Sequence, residues 1–92
     1  MQNIAKEFAT GNLKIVDVRT PQEYMGGHVA GSINIPLNEL PNRLDEFKSM
    51  QDVLLCCASG GRSLQATAYL RNKGIKCENG GSWLQVNFEL TA

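Results

Sequence analysis

Apolar positions along this chain alternate between helical and strand spacing, and each change of period marks an element. Ile4, Ala5, Phe8 and Ala9 fall at helical spacing within Gln2 to Thr10, and Gly11 follows, which predicts a short amphipathic helix with its apolar stripe in the core. Lys14 to Val18 is a β-branched run whose apolar density predicts a strand covered on both faces, leaving Asp17 in need of a partner. Thr20-Pro21-Gln22-Glu23 has the layout of a capping box, with Thr20 as N-cap, proline in the first turn and Glu23 reaching back, so a helix starts there and ends near Gly26-Gly27. Ile33 to Pro36 predicts a brief strand ended by proline. Leu37, Leu40, Leu44 and Phe47 keep helical spacing across Pro41, which predicts two short helical turns instead of one continuous helix.

The second half repeats the alternation. Val53 to Cys57 is a short apolar strand, and Leu64, Thr67, Ala68 and Arg71 then recur at helical spacing from a start near Ser63 to Gly74, a C′ glycine. Ile75 to Glu78 predicts a last strand with Ile75 and Cys77 on one face. Asn79-Gly80-Gly81-Ser82 reads as a loop, and Trp83 to Phe88 as a short helix or extended segment. Strands near 14–18, 33–35, 53–57 and 75–78 alternating with helices define an α/β domain, its parallel sheet covered by helices on both faces. With no repeat or linker visible, residues 1–92 are expected to form one domain. In such sheets ligands sit beyond the carboxyl ends of the strands, where the loops after Val18, Cys57 and Glu78 should gather.

Cys57 is the candidate nucleophile because it stands where strand turns into helix. The loop from Cys57 through Arg62 has six members, Cys57, Ala58, Ser59, Gly60, Gly61 and Arg62. Its glycines can adopt positive φ, turning successive N–H groups inward as an anion-binding nest. A helix N-terminus and a nearby arginine both favour thiolate over the ordinary cysteine pKa of ~8.5. Ala58 to Arg62 are therefore the candidate substrate-binding residues. Cys56 faces the other way by strand alternation and reads as core, as does Cys77.

Composition narrows the chemistry. Nine basic and nine acidic residues cancel without forming a block, so nothing suggests a nucleic-acid or membrane-surface footprint. Three cysteines, no leader pattern from Met1 to Gly11 and no apolar run of transmembrane length lead to the expectation of a reduced, cytoplasmic protein. Cys56, Cys57 and Cys77 with the single histidine, His28, give no tetrahedral metal set, and no cofactor is expected.

Three ordered signatures, covering nearly the whole chain, resemble the rhodanese family of single-domain sulfurtransferases. Asp17-Val18-Arg19-Thr20-Pro21-Gln22-Glu23-Tyr24 followed by Gly27-His28-Val29-Ala30-Gly31-Ser32-Ile33-Asn34-Ile35-Pro36 looks like the first. Cys57 to Ser63 looks like the active-site loop, and Asn79-Gly80-Gly81-Ser82-Trp83 like the C-terminal signature. The resemblance implies a rhodanese-like sheet of about four to five strands, the fifth being a strand before the first helix that Ile4 leaves little room for. It also implies that Cys57 takes sulfane sulfur from thiosulfate or a related donor, becomes a persulfide, and passes the sulfur to cyanide or a thiol. Partners would be a small-molecule donor and acceptor or a thiol protein, with the chain acting as a monomer. Arg62 would either bind the donor's sulfonate oxygens or close the loop onto its own carbonyls. Ala58 and Ser59 are neutral where some sulfurtransferases carry positive residues, which implies that thiosulfate is a weak donor and a protein persulfide the natural one. His28, Asp17, Arg19 and Trp83 read as structural.

Two other readings compete. A phosphatase or arsenate reductase of the same fold spaces cysteine and arginine one residue wider, because a tetrahedral oxyanion needs a longer loop to wrap it than a single sulfur does. A sulfur relay or non-catalytic binding module is the other, and modules of the latter kind usually lack the cysteine that this chain retains.

Overall fold

Two central strands carry the architecture because their sequences are apolar on both faces. In a computed structural model describing residues 3–91, β1 (Leu13–Asp17) and β3 (Asp52–Cys57) lie side by side, with β2 (Ile33–Asn34) outside the first and β4 (Cys77–Ser82) outside the second. All three pairings are parallel, so this is a four-stranded parallel sheet of order β2-β1-β3-β4. Gln2, where the first predicted helix began, and the two chain ends lie outside the described residues.

Alternation along the central strands separates two cores. Val53, Leu55 and Cys57 join Val16, Val18, Leu40, Phe47, Ala66 and Leu70 on one face, while Leu54 and Cys56 join Leu13, Ile15 and Val86 on the other. The first face is covered by a 3-10 helix (Leu37–Asn42), α3 (Leu44–Lys48) and α4 (Gly61–Asn72). The second is covered by α1 (Ile4–Ala9) and α5 (Trp83–Thr91), through Ile4, Phe8, Trp83 and Leu90. The Leu37 to Phe47 stretch forms two short helical pieces as expected, but Pro41 lies inside the first and the break between them falls at Arg43. No described helix is long and apolar enough to cross a membrane.

The remaining helix, α2 (Pro21–Met25), closes its first turn with the capping box read from the sequence. The Thr20 hydroxyl accepts from the Glu23 N–H at 3.2 Å, and the Glu23 carboxylate accepts from the Thr20 N–H at 3.0 Å. Two donors that the helix would leave unpaired are thereby satisfied.

The β1 strand lies one residue earlier than expected and β4 starts at Cys77 in place of Ile75, and three further differences bear on the site. The α4 helix begins at Gly61, two residues before Ser63, and Gly60 alone in the loop takes positive φ, at +99°. The last segment is helical and continues to Thr91. The third difference is the largest: Asn79 to Ser82, whose composition signals a turn, continues β4. Leu55 pairs with Asn79 but Cys56 with Gly81, so Gly80 is the extra residue of a bulge. A Cβ at Gly80 would lie 2.9 Å from Val86 Cγ2, 3.0 Å from Leu54 Cγ and 3.0 Å from the Leu55 carbonyl oxygen. Glycine is there to let β4 press against the sheet, not to turn the chain.

Candidate active site

The bulge keeps β4 alongside β3 to its end, where Cys57 pairs with Ser82. Cys57 is 1% exposed and its sulfur faces the start of α4. Gly60, the N-cap of that helix, has no side chain with which to cap it. The Cys57 sulfur fills this role: it accepts the Ser63 N–H at 3.3 Å, the bond a capping side chain would take, and the Gly60 N–H at 2.9 Å. The Ser63 hydroxyl stands 3.4 Å from the same sulfur and donates to the Gly60 carbonyl at 3.1 Å.

These contacts set the ionisation of the thiol. Burial pushes Cys57 up, but the Ser63 hydroxyl and the N–H groups of Ser63, Gly60 and Ser59 together outweigh it and hold the thiol below its ordinary value. On the opposite face, burial first, and then the negative charge of Asp17, push Cys56 up to about 12. Burial also raises Cys77. Adjacent residues of one strand thus shift in opposite directions, and Cys57 is the cysteine whose surroundings favour the charged form.

Arg62 does not close the loop onto its own carbonyls. Its two Nη atoms donate to the two carboxylate oxygens of Glu23, at 2.7 and 2.9 Å, joining the active-site loop to the capped turn of α2. That carboxylate is held down to about 2 by Arg62 first and by Thr20 second. Ala58, Ser59 and Gly61 are exposed around the sulfur, with Gly60 half-buried.

The first loop is built by Asp17 and Arg19. The carboxylate of Asp17, fully buried, accepts from Arg19 Nε at 2.9 Å and Nη2 at 2.7 Å. Arg19 Nη2 also donates to the Gly27 carbonyl at 2.7 Å, and its guanidinium lies 4.9 Å from the Trp83 ring. Asp17 therefore finds the partner its strand position requires, and Trp83 ties the loop after β1 to the end of β4. His28 stacks on Tyr24 at 3.8 Å and its Nδ1 donates to the Tyr24 carbonyl at 2.7 Å, which makes it a brace of the exposed turn after α2. A cavity of about 470 Å³ opens beside the loop, lined by Val18, Thr20, Leu37, Arg62, Gln65 and Tyr69 among others. Among the described residues no group of three or more His, Cys, Asp and Glu side chains is placed to hold a metal.

Ser63 and Glu23 are the site residues that the sequence did not announce. The hydroxyl three residues after Gly60, at the N3 position, was the available signal for the first. For the second, the capping box accounted for Glu23 completely, so nothing called for a further partner.

Fold and site together define a class: a parallel α/β domain with a cysteine, its sulfur ringed by donors, at the strand-to-helix turn on its carboxyl edge. The chain belongs to the rhodanese-like domain family, whose sequence model matches residues 1–83. A protein of Allochromatium vinosum named sulfurtransferase is 38% identical over 65 residues, covering 71% of this chain and 61% of that one. The YqhL protein of Bacillus subtilis is 41% identical over 71 residues, covering 75% and 56%. The chain thus spans between 56% and 61% of the length of these relatives. Among solved structures, reduced CoADR-RHD of Bacillus anthracis superposes with a TM-score of 0.81 at 34% identity, covering 96% of this chain and 16% of that one.

Proposed function

We propose that this chain is a sulfurtransferase that carries sulfane sulfur on Cys57. The observation that carries the reading is the sulfur's own set of donors, the Gly60 and Ser63 amides and the Ser63 hydroxyl, which favour thiolate in a nearly closed site. Membership of the rhodanese-like family and similarity to a relative named sulfurtransferase support it. With thiosulfate as donor, the Cys57 thiolate attacks the outer sulfur, the S–S bond of the donor breaks, and its electron pair leaves on sulfite. The enzyme keeps one sulfur and one negative charge as the persulfide. Cyanide or a thiolate then attacks that terminal sulfur, and the electron pair returns to Cys57. Ala58, Ser59, Gly60, Gly61 and Arg62 frame the terminal sulfur in both steps, their backbone N–H groups and the α4 N-terminus favouring its negative charge. The short loop suits one sulfur atom. Donor and acceptor are small molecules or a thiol protein, and no cofactor takes part.

Incubation with thiosulfate should leave the intact protein one sulfur atom heavier, with the addition on the Cys57 peptide and released as thiocyanate by cyanide. Cys57→Ser should show neither event, whereas Cys56→Ser and Cys77→Ser should keep both. Uptake from a protein persulfide but not from thiosulfate would make the chain a relay. Uptake from neither, by folded and reduced protein, would overturn the assignment.

A further inference from the structure

The electrostatics of the loop bear on which donors reach Cys57. Its arginine is already engaged: the Arg62 guanidinium makes a two-pronged contact with Glu23. The two side chains are 37% and 36% exposed, an exposure at which an isolated pair would exchange freely with water. Glu23 is not isolated, because the Thr20 N–H and hydroxyl donate at 3.0 and 3.2 Å to its Oε1, the oxygen that Arg62 Nη1 also contacts. A carboxylate fixed by its helix cap is a preformed acceptor, and Arg62 loses little freedom that Glu23 has not already lost. The other arginine at this edge, Arg19, is matched in the same way by Asp17. The carboxyl edge of the sheet thus presents a thiolate and two arginines whose charges are each offset.

A dianionic donor approaching a thiolate needs an uncompensated cation, whereas a persulfide with a thiol leaving group needs less help. We propose that Glu23 is a specificity-determining residue which, by holding Arg62, withholds positive charge from the mouth of the site and turns Cys57 away from anionic donors toward thiol persulfides. It acts through Arg62 and touches no substrate, so it is a positioning residue. The substrate class rests on the sulfur-transfer reading above, but the charge effect does not. With a thiol persulfide, the Cys57 thiolate attacks the outer sulfur of RS–SH, the S–S bond breaks, and its electron pair leaves on the thiolate RS⁻. The transferred sulfur arrives with its hydrogen, and no oxidant or reductant is required.

The test compares wild type, Glu23→Gln and the double variant Glu23→Gln/Arg62→Gln. Glutamine keeps a side-chain oxygen for the Thr20 N–H and so preserves the cap, which a thermal midpoint can verify. Rates of Cys57 alkylation by anionic iodoacetate and neutral iodoacetamide are measured at one pH, with the label mapped to Cys57. Any change in thiolate fraction or loop mobility cancels in their ratio, so the ratio reads local charge. Removing one charge near a half-exposed site should raise the iodoacetate to iodoacetamide ratio on the order of three- to tenfold in Glu23→Gln. The double variant should return it to the wild-type value. Rates of sulfur uptake from thiosulfate relative to cysteine persulfide should follow the same pattern. An unchanged ratio in Glu23→Gln, or a gain that survives in the double variant, would overturn the proposal. No uptake from either donor, beside the expected alkylation pattern, would instead sink the sulfur-transfer reading and leave Glu23 as a selector against anions.

Discussion

Replacing Ser63 with alanine isolates one of the donors that stabilise the Cys57 thiolate. The hydroxyl has a single proton and two neighbours that can accept it, the Gly60 carbonyl at 3.1 Å and the Cys57 sulfur at 3.4 Å. With the thiol protonated, the carbonyl is the better acceptor. Once the thiolate forms, the proton can turn to the sulfur, gaining a hydrogen bond to a charge at the expense of a neutral one. Hydrogen bonds to charged groups contribute about 1.5–3 kcal/mol and neutral ones about 0.5–1.5. The difference of about 1 kcal/mol corresponds to somewhat less than one pH unit at ~1.36 kcal/mol per unit. The sign follows from the role: losing a donor to the charged form raises the pKa. Ser63→Ala should therefore move the midpoint of the iodoacetamide rate profile of Cys57 upward by roughly 0.5–1 pH unit. The Gly60 and Ser63 amides remain in place, so the midpoint should stay below that of the same thiol in unfolded protein. An unmoved or lowered midpoint, in protein whose thermal transition remains cooperative, would refute the assignment of the hydroxyl to the thiolate.

Asp17→Asn strips a charge from the buried pair with Arg19 and should lower unfolding stability by about 3 kcal/mol in urea titrations, since an unmatched buried cation is left behind. Gly80→Ala should cost about 1–3 kcal/mol by the same measurement, because its Cβ meets two side chains and a backbone oxygen at 3.0 Å or less. The lowered thiol of Cys57 adds stability that is fully present above its unfolded pKa and is lost as pH falls through the folded one, so the thermal midpoint of wild type relative to Cys57→Ser should climb as pH rises toward ~8.5. The raised thiols of Cys56 and Cys77 are common to both proteins and drop out of the comparison, so a pH-independent difference would count against the thiolate argument.

Local chemistry was legible wherever one segment settles its own geometry. Thr20 and Glu23 close their box within four residues of chain, and the alternation of Leu54, Leu55, Cys56 and Cys57 assigns each to a face without outside help. Legibility failed where a partner distant in sequence decides. Asn79-Gly80-Gly81-Ser82 has every mark of a turn, yet β3 supplies a ladder for it and the glycine is selected by Leu54 and Val86 pressing in. Arg62 was paired with the cysteine loop because the loop is its neighbour in sequence, while its carboxylate lies 39 residues earlier. The helix start was misplaced for a related reason: the cap of α4 is a cysteine sulfur, a residue that capping preferences do not favour.

The opposite orientation of Cys56 and Cys57 limits what can happen after Cys57 reacts. Cys56 sits against the other core, and Cys77 pairs with Val53 at the far end of β3, four residues from Cys57 or roughly 13 Å along the strand. A disulfide needs its Cα atoms within ~7 Å and its Cβ vectors converging, so neither cysteine can act as a resolving thiol. Whatever is bound to Cys57, a sulfane sulfur or the single oxygen of a sulfenic acid, is out of reach of Cys56 and Cys77 and waits for an acceptor from outside the domain, a thiol or, for the sulfur, cyanide. The lifetime of the loaded state is thereby set by the concentration of outside acceptors.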